Sequence, residues 1–366
     1  MRKLKLIIPA RDYIYNGLYN VFEDLHEGLK ELNISHEMVV VFTNDEAATP
    51  RFPHKKINLR DLKYIIDDKS LFLIPDDYIL IDYLYDNKIF RNNIIVWSHY
   101  FKGHRLLFSE YNNRVKKKNI QDFFYRIIYY ILPLPVSQIF LRKYIKYLKR
   151  NKLVSQSIWS CLLLNRVYNL NCEKVIYLPI QAKYARENQN RERSCLIFFG
   201  GRHDTDFDKL EHVLSLIEKE IGHLQYYSFG NRSLSLEFSE RIGRQIIFKE
   251  NISRSELQDL ISKMMVSVNP IYNGTFEMFP IESLICGTPV ISFVQPFMEV
   301  TGNSPLVASI HSDNEIITKL NIWKIGHIDN ELKNLKEVIY GKMDCLKISS
   351  EIVKLFNELE DDRSVC

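Results

Sequence analysis

The sequence predicts an α/β protein with two parallel sheets in tandem. Three observations lead there. Short, continuous apolar runs alternate with helical stripes through the first hundred residues. The alternation restarts near Cys195 after a polar interval. The length, 366 residues, exceeds one ordinary core and suits two. Strands that are apolar throughout, rather than at every second position, are covered on both faces, as parallel sheets are.

Taken in order, "KLKLIIPA" reads as a first strand, Leu4 to Ile8. In "YNVFEDLHEGLKELN", Val21, Leu25, Leu29 and Leu32 recur at helical spacing. "HEMVVVFT" is a buried strand, and "RDLKYIID", "SLFLIPDD" and "NNIIVWSHY" continue the alternation. "LVSQSIWSCLLL" gives a short strand and a helix, and "EKVIYLPI" another strand. Gln181 to Ser194 is polar and reads as a linker. Beyond it, "CLIFFGGRHD" is a strand running into a Gly-Gly turn. "DKLEHVLSLIEKEIG" is a helix with Leu210, Val213, Leu214 and Ile217 on one face. "LQYYSFGN", "RQIIFKEN" and "VSVNPI" are strands, "SRSELQDLISKM" a capped helix, and "CLKISSEIVKLFNELEDD" a closing helix. The expected domains are 1–180 and 190–340, with the helix at about 345–366 packing back on the first. Two such sheets are expected to face each other across a cleft, with ligand outside the carboxyl ends of the strands.

Composition narrows the class. With 46% hydrophobic and 26% charged residues, the chain reads as globular rather than disordered or membrane-spanning. None of the six cysteines forms a C-x-x-C pair, which excludes a zinc knuckle or thioredoxin motif; they read as free thiols in a reducing compartment. No window reaches eighteen apolar residues, and the first residues lack the apolar stretch of a signal peptide. The expected location is cytoplasmic.

The net charge of +4 hides an asymmetry. Lys102 to Lys152 holds thirteen Lys/Arg and two acids, a local +11, leaving −7 elsewhere. Within it, Arg142, Lys143, Lys146, Lys149 and Arg150 are interleaved with Phe140, Leu141, Tyr144, Ile145, Tyr147 and Leu148. Two readings stay open for 120–152: an amphipathic helix lying on an anionic membrane surface, and a helical hairpin packed on the first domain with its charges solvated. No nucleic-acid fold signature accompanies the charge, so nucleic acid is not an expected partner.

Two stretches carry chemistry. "FFGGRHD" places Gly200, Gly201 and Arg202 just past a strand, where glycines admit a phosphate and an arginine binds it through two parallel hydrogen bonds. "NGTFEMFPIESLICGTPVISF" puts carboxylates on a loop and at the start of an apolar helix, beside a tight turn. That is poor for a core and good for holding a polar ligand.

The second stretch resembles the donor site of retaining GT-B glycosyltransferases of family 4. The family pattern is a Glu, seven residues, a second Glu, and a turn ending in Gly-Thr-Pro-Val. Glu282 through Gly287-Thr288-Pro289-Val290 matches its second half; the first carboxylate position holds Gly274, and Glu277 follows Phe276 where the family has Gly. The resemblance implies a GT-B fold of two Rossmann-like domains. It implies sugar transfer from a nucleotide-diphosphate sugar to a glycan or lipid-linked glycan, with retention and without a metal or other cofactor.

The roles it implies are specific. Glu282 accepts hydrogen bonds from the ribose, a task for an acceptor-only group. Arg202, with Gly200 and Gly201, meets the diphosphate. Phe207 stands where the family has a Lys, so Lys209 is the nearest substitute. Phe276 belongs to the donor site, and Glu277 and His99, the latter ending the strand "VWSHYF", lie by the sugar; His104 rivals His99. Only Gly17 remains of the family's first glycine-rich loop, and Glu299 falls in the loop after the last donor strand. A helix beginning near Pro280 points its positive end at a diphosphate. Other readings are a donor-binding partner subunit that has lost catalysis, and a sugar-nucleotide epimerase of the same architecture.

Overall fold

The computed structural model describes residues 2–10, 17–42, 50–99, 134–186, 191–200, 205–250, 252–271, 276–325 and 328–364. They form two compact units: Met1–Ile14 with Leu29–Ile176 and Ser350–Cys366, and Tyr15–Gly28 with Tyr177–Ser349.

The strands of the first unit are β1 (Lys3–Pro9), β2 (His36–Phe42), β3 (Lys55–Asn58), β4 (Ser70–Pro75), β5 (Ile94–Ser98), β6 (Lys152–Ser155) and β7 (Lys174–Val175). They form one parallel sheet in the order β3-β2-β1-β4-β5-β6-β7, with Leu6 of β1 registered against Met38 and Leu73. The helices are α1 (Gly17–Glu31, its residues up to Gly28 counted with the second unit), α2 (Leu62–Ile65), α3 (Tyr78–Asp86), α4 (Leu134–Leu148) and α5 (Ile158–Tyr168). Phe72, Ile74 and Val96 from the sheet pack with Leu84, Tyr147 and Leu164 from the helices in one core. Helix starts are set by side chains: Asp77 accepts from the Ile79 and Leu80 amides ahead of α3, and Ser157 from the Ser160 amide ahead of α5.

In the second unit the strands are β8 (Glu192–Phe199), β9 (Gln225–Gly230), β10 (Ile246–Phe248), β11 (Met264–Val268), β12 (Val290–Ser292) and β13 (Val307–Ser309). They too are parallel, in the order β10-β9-β8-β11-β12-β13. Counted from its own first strand, each sheet therefore begins 3-2-1-4-5-6, the order of a doubly wound dinucleotide-type fold. The helices are α6 (Phe207–Ile221), α7 (Arg232–Ile242), α8 (Arg254–Lys263), α9 (Met278–Ile285), α10 (Met298–Thr301), α11 (Asp313–Ile325), α12 (Asp329–Met343) and the start of α13 (Cys345–Ser364), whose residues from Ser350 on are counted with the first unit. Ser253 and Glu256 make the capping box expected at the head of α8.

Some expectations are corrected. Leu32 lies past the end of α1 and is exposed; the buried stripe is Leu18, Val21, Phe22, Leu25 and Leu29. In "EKVIYLPI" only Lys174–Val175 form a strand of the sheet, and Ile180 makes a separate parallel bridge to Asp344. The supposed linker opens with ordered, packed structure: Gln181 is buried, and β8 already begins at Glu192. The "FMEVTGN" loop contains α10 and leads into a further strand, β13, whose three residues give almost no periodicity to read. Among the described residues, no helix is long and apolar enough to cross a membrane.

Candidate functional site

The sheet of the second unit reverses its winding between β8 and β11, so their carboxyl ends open the crevice where such sheets bind ligands. Thr205 and Ile271 form an antiparallel bridge there, tying the loop after β8 to the loop after β11. Gly200 follows β8, and a Cβ on it would lie 2.8 Å from Ile271 Cδ1. A side chain at that position would have to displace the end of the Ile271 side chain, so the two loops are closely packed there. Gly201, Arg202 and Gly274 lie outside the described residues.

Phe276 and Glu277 lead from the second loop into α9. Phe276 is buried, its ring 6.5 Å from those of both Tyr177 and Phe297. Glu277 holds the N-cap position of α9, but its side chain does not cap. The helix starts at Met278, two residues earlier than expected, and all eight of its residues are buried. Its exit explains the Gly-Thr-Pro-Val sequence. Gly287 has φ 87, in the left-handed region where glycine ends helices. The Thr288 amide then donates to the Ser283 carbonyl and its hydroxyl to the Ile261 carbonyl at 2.6 Å, so the chain turns into β12 within three residues.

Glu282 lies midway along α9 and is 5% exposed. Its Oε1 accepts from Arg254 Nε at 3.2 Å and lies 3.1 Å from Nη2. The other edge of the same guanidinium is bidentate to Asp24 of α1, Nη1 to Oδ1 at 2.7 Å and Nη2 to Oδ2 at 2.9 Å. Gln181 Nε2 donates to Asp24 Oδ1 at 2.6 Å, and the Tyr184 ring lies 4.0 Å from the guanidinium carbon. All five residues belong to the second unit.

Two buried carboxylates against one guanidinium leave excess negative charge. Burial pushes the Asp24 carboxyl up to about 6, although Arg254 opposes the shift. Burial likewise raises Glu282, again opposed by Arg254. Arg254 resists the desolvation that disfavours its charge, because Asp24 and Glu282 together hold it protonated. The cluster is therefore receptive to further hydrogen-bond donors.

The other candidates are placed as follows. Lys209, on α6, reaches Asp313 at 3.3 Å, and His212 Nε2 meets the same carboxylate at 2.7 Å. Phe207 turns inward, its ring 5.1 Å from that of Phe238, so the position where the family has a Lys serves the core. His99 belongs to the first unit, at the carboxyl end of β5. Its amide donates to Asp76 Oδ1 at 2.7 Å, and its ring stands edge-on to Trp97 at 4.5 Å. Asp76 is fully buried, and its Oδ2 accepts from Ser98 Oγ and Tyr144 Oη, each at 2.8 Å. His104 lies outside the described residues.

Asp24, Gln181, Tyr184, Arg254 and Asp76 are not among the residues singled out from sequence. For Asp24 a signal existed: it follows Val21 by three positions and precedes Leu25 by one, inside the apolar stripe of α1. For Arg254 there was none, since an arginine opening a capped helix reads as surface.

Of the basic segment, α4 is described, and it is packed. Tyr144, Tyr147 and Leu148 are buried in the first core, and Lys143 pairs with Asp82 at 3.2 Å and Asp86 at 2.8 Å. Residues 100–133 lie outside the described ones.

No protein-family model matches the sequence, and no curated protein sequence does. Solved structures match along the whole chain. A sucrose-phosphate synthase from Thermosynechococcus elongatus is 14% identical with a TM-score of 0.73, covering 99% of this chain and 100% of that one. The apo lipopolysaccharide outer core galactosyltransferase WaaB is 13% identical with a TM-score of 0.62, covering 99% of each. An alpha-glucosyltransferase (AGT) in complex with UDP is 11% identical with a TM-score of 0.60, covering 98% of this chain and 100% of that one. The chain has the GT-B fold. A GT-B chain carries two Rossmann-like units, which is why the strand order begins the same way in both sheets.

Proposed function

We propose that this protein is a metal-independent glycosyltransferase that moves a sugar from a nucleotide-diphosphate sugar to a glycan or lipid-linked glycan, with retention. The observation that carries the reading is the position of Glu282: a buried carboxylate on the helix after the switch-point strand of the second unit, in a GT-B chain. Arg254 fixes one oxygen of Glu282, and ribose hydroxyls are the donors the excess negative charge would accept. Arg202, between Gly201 and His203, is assigned to the diphosphate. Lys209 assists once phosphate competes with Asp313 for it. Their charge would stabilise the leaving nucleotide as the glycosidic bond breaks. Phe276 walls the donor site, and Glu277 and His99 are assigned to the sugar.

A second reading is favoured by two positions: Gly274 replaces the first carboxylate of the motif, and Phe207 is committed to packing. A protein so altered would bind donor without transferring it. Delivery of the acceptor from an anionic membrane, with the protein on its cytoplasmic face, is the part α4 supports least, because Tyr144, Tyr147 and Leu148 are already buried.

Thermal unfolding with UDP, GDP, dTDP, ADP and CMP in turn tests donor binding. A nucleotide at a hundredfold its dissociation constant adds about 2.7 kcal/mol. A shift with one nucleotide, followed by transfer or hydrolysis of its sugar conjugate in EDTA, supports the proposal. Binding without turnover selects the second reading, isomerised donor an epimerase, and no shift with any nucleotide overturns all three.

A further inference from the structure

The guanidinium of Arg254 meets its two carboxylates in different ways. Its end edge is shared evenly, Nη1 donating to Asp24 Oδ1 and Nη2 to Asp24 Oδ2. Its side edge is not. Nε and Nη2 both approach the same oxygen of Glu282, Oε1, at 3.2 and 3.1 Å. An arginine fork commonly gives one donor to each oxygen of a carboxylate. Here Glu282 Oε2 has no hydrogen-bond partner among the described residues.

Asp24 accounts for the asymmetry. The guanidinium is a rigid plane, so its paired contact with Asp24 fixes the direction in which the side edge points. The Tyr184 ring, 4.0 Å from the guanidinium carbon, packs against it. Asp24 is held in turn. Gln181 Nε2 donates to its Oδ1, and one turn further along α1, Gly28 seats the helix on the start of α13. A Cβ at Gly28 would lie 2.6 Å from the Cys345 carbonyl oxygen, a backbone atom that cannot step aside as a side-chain end can. The Asp24 carboxylate is fully buried, so it touches no ligand itself. Whatever it does at the site, it does through Arg254.

We infer that Asp24 is a positioning residue that gives the donor site its preference for ribose, by confining Arg254 to one oxygen of Glu282 and leaving the other to the ribose hydroxyls. Without Asp24 the guanidinium would be free to take both oxygens, and ribose would compete with a buried cation for its acceptor. The inference rests on the proposed donor site and adds to it a residue of α1 that lies far outside the motif. All the residues involved belong to the second unit.

The test compares wild type, Asp24→Asn and Asp24→Asn/Arg254→Met by calorimetry at pH 8, above the value of about 6 to which burial pushes Asp24. UDP, GDP, dTDP, ADP and CMP are each titrated against the 2′,3′-dideoxy analogue. The wild type should bind its nucleotide about tenfold more tightly than the analogue, as one hydrogen bond to a charged group allows. Asp24→Asn should bring the pair within about twofold by losing affinity for the hydroxylated ligand alone. In the double variant no guanidinium competes for Oε2, and the preference should return to about tenfold. A purely structural role for Asp24 would weaken both ligands together, and removing a second residue would not repair it. Gln181→Met, which takes away only a hydrogen bond that steadies Asp24, is the milder variant should Asp24→Asn fail to fold; it should lower the preference to about threefold. The inference is overturned if the folded variant of the two keeps the wild-type preference, or if the double variant does not regain it. Nucleotide binding without any ribose preference would sink it while leaving donor binding intact; no binding of any nucleotide removes both.

Discussion

Arg254 is bidentate to Asp24 across 230 residues of sequence, at 2.7 and 2.9 Å, and the same guanidinium holds Glu282. Glu282 is thus positioned by a buried network as well as by its helix. Such a network is stable only when every member is satisfied.

Removing the cation should be severe. Arg254→Ala leaves two buried carboxylates unpaired and is expected to cost about 3–5 kcal/mol in urea unfolding. Combining Arg254→Met with Asp24→Asn should recover part of that loss. Costs that simply add would mean that the two residues do not act as a pair.

The pH dependence of Asp24 runs opposite to that of a salt-bridged surface acid. Its folded pKa, about 6, is above the ordinary 3.8. Between those values the folded state keeps a proton that the unfolded chain has released. Its stabilising contribution is complete below 3.8 and is lost as pH rises through 6, on the order of 3 kcal/mol at most. Glu282, also raised, acts in the same direction. Asp67, Glu218 and Asp313 are held low, so what they contribute is lost only as pH falls below the ordinary carboxylate range. The stability of Asp24→Asn relative to wild type should therefore improve from pH 4 to pH 7; a flat difference would show that Asp24 stays ionised.

Two tyrosines three positions apart on α4 should respond differently to the loss of a hydroxyl. Tyr144 donates to buried Asp76, while the Tyr147 hydroxyl is buried with no partner among the described residues. Tyr144→Phe is expected to cost about 1–3 kcal/mol and Tyr147→Phe to be neutral or stabilising. Equal costs in chemical denaturation would refute the distinction.

Glu282→Gln and His99→Ala separate binding from transfer. The first should weaken nucleotide binding about tenfold by removing a charge-assisted acceptor. The second should lower turnover by about a hundredfold or more with nucleotide affinity unchanged. If both variants lose affinity equally, His99 has no place at the transferring sugar.

The sequence made the sheets legible because their strands are apolar runs, and β1, β2, β4, β5, β8 and β11 all appear where such runs occur. It hid β3 and β13, which have four and three residues. Glu282 could be picked out through its local motif. Asp24 showed only as a carboxylate inside an apolar stripe and Arg254 not at all, because their pairing across 230 residues is encoded in no local pattern. The position of Phe207 shows the reverse: a substitution within the motif became intelligible only when its ring was seen against Phe238.

The distance between Asp24 and Arg254 also has a temporal meaning. During translation Asp24 is made 230 residues ahead of its partner, roughly 10–50 s at ordinary elongation rates. Over that interval α1 carries a carboxylate inside an apolar stripe that cannot yet be buried without its counter-ion. The nascent chain must hold that face open to water, or on a chaperone, until α8 emerges.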